Sequence, residues 1–250
     1  MRKLTLLSFL ISFTAVSLFA KDFSITAFGA VADGKTMNTK AIQAAIDAAH
    51  EEGGGRVLVP SGTFLTGTVF LRSNVELHLK KGAILLGSTD PEEYQKISWW
   101  KNFEWGALII AQEAKNISIS GQGTIDGQGS QLALNIDSLF YIGQLDSGKY
   151  NLKEMRPKEQ MRPQLIMVFR CKNVEVRGVT IKNAACWVQT YTLSEKVIID
   201  SIEVYSDAYW NNDGIDILDS KNVQITNCNI NSADDGISLK SYLKYQDGSM

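Results

Sequence analysis

Apolar and polar positions follow two different periods along this chain, and the change between them comes early. Over residues 38–52, Ala41, Ile42, Ala45, Ile46 and Ala49 recur at helical spacing. Asn38 or Thr39 supplies the N-cap and Gly53-Gly54-Gly55 the stop, so one amphipathic helix is predicted. Beyond it, short alternating runs such as Arg56-Val57-Leu58-Val59 and Val75-Glu76-Leu77-His78-Leu79 are punctuated by Gly, Asn, Asp and Ser. That pattern predicts nearly all β structure for the remainder.

The alternating runs repeat. Val174, Val176, Val179 and Ile181 share their spacing with Val197, Ile199, Ile202 and Val204, and again with Val223, Ile225, Cys228 and Ile230. The steps are 23 and 26 residues, and Lys115-Asn116-Ile117-Ser118-Ile119 is an earlier, looser copy. A repeat of this length with strand periodicity marks a solenoid. Leucine-rich repeats share the length but need a leucine-dominated consensus with a helix or tight turn per repeat, which is missing. The predicted fold is therefore all-β, a right-handed parallel β-helix (solenoid) with a short N-terminal capping α-helix. Each coil carries about three strands, stacked about 4.8 Å apart with the apolar set inward. The helix covers the first coil, whose unpaired edge otherwise invites aggregation. Residues 91–107 and 130–163 interrupt the repeat; the first holds Trp99, Trp100, Phe103 and Trp105, and the second is polar and rich in Lys and Arg. Such insertions become loops on one face of a solenoid.

Composition narrows the classes that remain. With 250 residues and 44% hydrophobic content the chain can build one sizeable core, and a net charge of −2 gives no concentrated basic face for nucleic acid. Arg2 and Lys3 precede an apolar run that ends near Ala20, before Lys21 and Asp22. This reads as a signal peptide over residues 1–20, with cleavage after Ala20, or alternatively after Ser17. Residues 21–250 then form the β-helix domain. The apolar run is shorter than the roughly 20 residues that span a bilayer, so no membrane span is expected and the protein is expected to be secreted or periplasmic. Cys171, Cys186 and Cys228 are odd in number and lack metal-ligand spacing, so buried free thiols are expected. His50 and His78 stand near no candidate nucleophile in the sequence, which gives a Ser/His/Asp triad no support.

Candidate chemistry gathers near the end, in Asn211-Asn212-Asp213-Gly214-Ile215-Asp216-Ile217 and Ala233-Asp234-Asp235-Gly236-Ile237-Ser238-Leu239-Lys240. Asp213-Gly214-Ile215 and Asp235-Gly236-Ile237 lie 22 residues apart, one coil of the repeat. Stacked in register, Asp213 lies beside Asp235 and Asp234 falls opposite Asn212, so three carboxylates converge. Like charges across strands are unfavourable, and close carboxylates oppose one another's ionisation. Acetal hydrolysis, however, needs one protonated carboxyl for the leaving oxygen and one carboxylate to activate water. Asp216 and Asp219 read instead as turn residues at solenoid corners.

These motifs resemble those of the polygalacturonase family of glycoside hydrolases, which pairs Asn-Thr-Asp with Asp-Asp about twenty residues on. Asn211-Asn212-Asp213 matches the first with Asn212 in place of Thr, and Asp234-Asp235 matches the second. Phe28-Gly29-Ala30-Val31-Ala32-Asp33-Gly34, Gly53-Gly54-Gly55 with Val59-Pro60-Ser61-Gly62, and Thr124-Ile125-Asp126-Gly127-Gln128-Gly129 are similar to the family's N-terminal half. The resemblance implies hydrolysis of pectic polysaccharide with inversion and without a cofactor or metal. By it, Asp234 is the general acid and Asp213 and Asp235 hold the attacking water. Asn211 and Lys240, the latter one coil position from Asp235, are the candidate substrate-binding residues. A solvated lysine is the alternative reading of Lys240. The tryptophans of residues 91–107 either stack on sugar rings or pack the loop. The family's Gly-His-Gly histidine and Arg-x-Lys pair do not occur, so the domain reads as incomplete at its C-terminus. A monomer is expected. Two rivals stand beside this reading: a calcium-dependent pectate-lyase-like enzyme, and a non-catalytic β-helix that binds polysaccharide.

Overall fold

A computed structural model describes residues 21–100 and 103–241. The expected signal peptide and the side chains of Trp99, Trp100 and Phe103 lie outside what is described. Three sheets of seven strands run the length of the molecule. The first stacks Asp22–Ser24, Gly55–Val59, Val75–Leu79, Lys115–Gly121, Lys172–Arg177, Glu195–Asp200 and Lys221–Thr226, all parallel. The second ends in Thr180–Lys182, Glu203–Ser206 and Asn229–Ser232, and the third in Gln164–Phe169, Gln189–Thr192, Ile215–Leu218 and Ile237–Lys240. Each coil contributes one strand to each sheet in turn, so the fold is a parallel β-helix.

The repeated apolar spacing has the predicted consequence. Ile117, Val174, Val197 and Val223 pair in one column, and Ile119, Val176, Ile199 and Ile225 in the next. A slip by one residue would turn both columns outward, which fixes the register. The asparagines that open these strands have a second task. Asn74, Asn116 and Asn173 take φ of 64°, 53° and 58°. Asn116 Nδ2 donates to Asn74 Oδ1 and Asn173 Nδ2 to Asn116 Oδ1, both at 2.8 Å. Asparagine tolerates the left-handed turn and its amides stack into a ladder, which explains the recurrent Lys-Asn.

The predicted helix, α1 (Thr39–Glu51), buries Ile42, Ala45, Ile46 and Ala49 over the first coil. Asn38 stands at its N-cap, but its side chain makes no cap bond. It is buried as a bracket instead, accepting from Val31 N and donating to the carbonyls of Val31, Thr36 and Leu65.

Two expectations need correcting. Residues 130–163 are not simply a polar loop, because a second helix, α2 (Gly129–Tyr141), opens them and buries Leu132, Ala133 and Ile136. Its helical period was present in the sequence, inside a stretch whose surroundings are polar. His78, moreover, does stand beside a hydroxyl: its Nδ1 lies 2.8 Å from Ser120 Oγ and 3.3 Å from Glu76 Oε1. Serine and carboxylate share one ring nitrogen, whereas a catalytic relay needs them on different ones. The cysteines are free; burial pushes the Cys171 thiol up to about 11 and the Cys186 thiol up to about 12, which makes them inert. Cys228 is half-buried.

Candidate active site

The two aspartyl-glycyl segments stack as their spacing required. Ile215 pairs with Ile237 and Leu218 with Lys240. Gly214 N donates to Asp235 O at 2.8 Å and Ile215 N to Gly236 O at 3.1 Å. A Cβ on Gly214 would fall 2.6 Å from the Gly236 carbonyl oxygen and 2.6 Å from Ile230, so glycine is what lets these coils close up. Asp213, Asp234 and Asp235 consequently offer carboxylate oxygens that all lie within 4.8 Å of one another. Asp213 is buried, while Asp234 and Asp235 face solvent, and Asp235 N donates to Asp234 Oδ1 at 3.0 Å. Such a group suits paired acid–base chemistry, and as an oxygen donor set it also suits a hard cation.

The segment before Asp213 is fixed from beneath. Asn212 is fully buried; its Nδ2 donates to the carbonyls of Ala184 and Cys186, and its Oδ1 accepts from Tyr209 N. Asn211 takes φ of 59°, and its Oδ1 accepts from Arg156 Nη1 at 2.6 Å and Arg162 Nη2 at 2.7 Å. The side-chain oxygen of Asn211, a residue expected to bind substrate, is thus already engaged. Arg162, 1% exposed, also donates to the carbonyls of Ala185 and Trp210, so the insertion after α2 clamps the loop that carries Asp213. Nothing in the local sequence around Arg162 signalled this role.

Lys240 is not a solvated lysine. Its Nζ donates to Asp213 Oδ2 at 2.8 Å and to Asp216 Oδ1, and it lies 4.0 Å from the centre of the Trp187 ring. Burial opposes its charge, but the bonds to Asp213 and Asp216 outweigh that and hold its pKa above the usual lysine value. Trp187 in turn stacks on Trp105 at 5.0 Å, so Trp105, 4% exposed, packs the fold rather than offering a face to ligand.

Asp216 also departs from its reading as a turn residue. It lies within the strand Ile215–Leu218 and is 0% exposed. Burial pushes its carboxyl up to about 7, against the opposing pull of Lys240. Ile-Asp-Ile alternation had already assigned it to the face opposite the core, and the 22-residue register sets Lys240 on the diagonal from it. That signal was available in the sequence. Asp219 does lie at a bend, with φ of 48°, and accepts from Ser241 Oγ.

The fold is a parallel β-helix in which a carboxylate trio stacks just ahead of two neighbouring strands of the third sheet, Ile215–Leu218 and Ile237–Lys240. The comparisons with known proteins specify its family. The model of "Glycosyl hydrolases family 28" matches residues 52–246, and the chain belongs to that family. It is 31% identical over 245 residues to a "Probable polygalacturonase" of Vitis vinifera, covering 92% of this chain and 46% of the relative. It is 30% identical to the "Exo-poly-alpha-D-galacturonosidase" of Dickeya chrysanthemi, covering 90% and 43%. Among solved structures, the family 28 exopolygalacturonase of Yersinia enterocolitica superposes with a TM-score of 0.77 at 29% identity, covering 88% of this chain and 45% of that one. The exopolygalacturonase of Thermotoga maritima gives 0.72 at 30%, covering 88% and 55%. The chain therefore spans about half the length of the curated relatives it matches. The handedness expected from the sequence is that of these right-handed helices. Among the described residues, no helix is long and apolar enough to cross a membrane.

Proposed function

We propose that the protein hydrolyses O-glycosidic bonds in pectic polysaccharide outside the cytoplasm, after export by the segment over residues 1–20. The observation that carries the reading is the convergence of Asp213, Asp234 and Asp235 within 4.8 Å, in a chain of family 28. Solvent-facing Asp234 gives a proton to the leaving oxygen. Asp213, held from below, and Asp235 orient and activate the water that attacks the anomeric carbon. Asn211 keeps its amide nitrogen for the sugar chain, its oxygen being held by arginine. The two curated relatives, a polygalacturonase and a galacturonosidase, support a galacturonate-containing substrate.

Inversion follows from the family resemblance, yet backbone stacking at roughly 4.8 Å lies nearer the carboxyl separation of retaining enzymes than of inverting ones. The anomeric configuration of the first product decides between the outcomes. The test is release of reducing ends from polygalacturonate, with NMR of the nascent product, in the parent and in Asp234→Asn. Saturated products, lost in Asp234→Asn, are expected. An unsaturated product abolished by chelator would replace hydrolysis with cation-assisted elimination. Binding without any cleavage would leave a polysaccharide-binding β-helix.

A further inference from the structure

The trio gathers three carboxyl groups, and the ammonium bonded to one of them is largely shielded from solvent. Lys240 rises from the last strand of the third sheet, passes under the Trp187 ring and ends between Asp213 and Asp216. Its side chain is 15% exposed, that of Asp213 7% and that of Asp216 0%. The ammonium already has two carboxylate partners and an aromatic face, so a substrate carboxylate would compete with them for it. Asp216, for its part, touches nothing in the trio directly: one oxygen accepts from Lys240 and the other, Oδ2, is buried without a hydrogen-bond partner. Keeping such a group costs stability unless it does something.

Resting on the reading of the trio given above, we infer that Lys240 is a positioning residue rather than a substrate contact. Anchored on the buried Asp216, it sets the orientation and charge of Asp213. The geometry gives each member one task. Asp216 holds the ammonium at a fixed depth, Trp187 closes its remaining side, and the bond from Lys240 Nζ fixes which Asp213 oxygen is left for water. Charged groups facing Asp216 are Lys240 from the neighbouring coil, Asp213 from its own, and Asp235 further off. Its cross-strand neighbours Thr190 and Ser238 are uncharged. The upward displacement of the Asp216 carboxyl agrees with a group whose only compensation is a shared lysine.

The experiment compares Lys240→Met with the double variant Asp216→Asn/Lys240→Met, using a polygalacturonate oligomer as substrate. It follows kcat, KM, thermal stability and the 13C carboxyl resonance of Asp213 as a function of pH. In Lys240→Met, kcat should fall at least about tenfold with KM within about twofold. The pH dependence of the Asp213 resonance should change, because a charge-assisted bond has been removed. The double variant no longer strands a buried carboxylate, so it should recover stability while kcat and the Asp213 titration stay altered. It also carries the test if Lys240→Met folds poorly. An unmoved Asp213 titration overturns the inference, as does a KM effect without a kcat effect. Recovery of kcat in the double variant overturns it too, since Lys240 would then serve only Asp216. If Asp234→Asn leaves cleavage intact, the reading of the trio itself fails, while the resonance of Asp213 still judges Lys240.

Discussion

The inward columns of the coil stack and the outer face of its third sheet obey the same register with opposite consequences. Along the column Ile117–Val174–Val197–Val223, stacking like on like buries apolar surface at each step and stabilises the helix. Two strands away, the same arithmetic brings Asp213 against Asp235 with Asp234 beside them, which repels. The solenoid cannot choose a register that suits one and spares the other. It resolves the conflict locally, by exposing Asp234 and Asp235 and by placing Lys240 under Asp213. Stability thus resides in the columns, and the proposed chemistry lies where the column rule is broken and compensated.

The sharpest way to break the comparison is to put a charge where only apolar stacking is tolerated. Val197→Asp, at a wholly buried column position, should cost several kcal/mol, about the scale of an unpaired buried charge. Val223→Asp, half-buried in the same column, should cost clearly less. Denaturant unfolding reads both, and an unchanged midpoint for Val197→Asp would refute the column.

On the other face, charge removal should spare the fold and abolish the chemistry. Asp234→Asn should slow cleavage of polygalacturonate at least about a hundredfold, the low end for a general acid, with binding retained. Asp213→Asn and Asp235→Asn should be comparably harmful in the same assay, because each empties one side of the water site. Asp219→Asn, at a bend outside the trio, serves as the control. Equal losses for Asp219→Asn and Asp234→Asn would sink the assignment.

The compensating pair between these faces has a pH signature. The Asp216 carboxyl is pushed up to about 7 in the fold, above its unfolded value of 3.8. Between these values the folded state binds the extra proton, so this group's contribution is complete below about 4 and is lost as pH rises through about 7. Asp216→Asn should flatten that decline, a difference on the order of 4 kcal/mol between pH 4 and pH 8. Melting curves of parent and variant across that range check it, and parallel curves would contradict the burial of Asp216.

The smallest expected effect tests the turns that set the register. Asn116→Ala loses both ladder bonds and strains a φ of 53°, at about 1–2 kcal/mol, whereas Asn116→Gly keeps the turn and should cost less. Equal costs would mean that the amide ladder, not the left-handed turn, dominates.

Much of this molecule is determined by sequence alone. The period of 23–26 residues, the alternating Val and Ile positions and the 22-residue step between Asp213-Gly214 and Asp235-Gly236 specify coils, columns and carboxylate stacking. In a solenoid each coil contacts its neighbour at a constant offset, so sequence distance converts directly into spatial distance. What escapes that conversion depends on side-chain reach and on segments outside the repeat. The 130–163 insertion folds α2 and returns Arg162 to Asn211 across 49 residues, a contact with no periodic address. Asp216 looked like a corner aspartate although its alternation marked a strand; its complete burial against Lys240 is decided by the packing. Lys240 read as a substrate contact or a solvated lysine, whereas its ammonium lies between two carboxylates and against the Trp187 ring. Register says which residues are neighbours; only the packed structure decides which way a long charged side chain turns, because that choice balances desolvation against every partner within its reach.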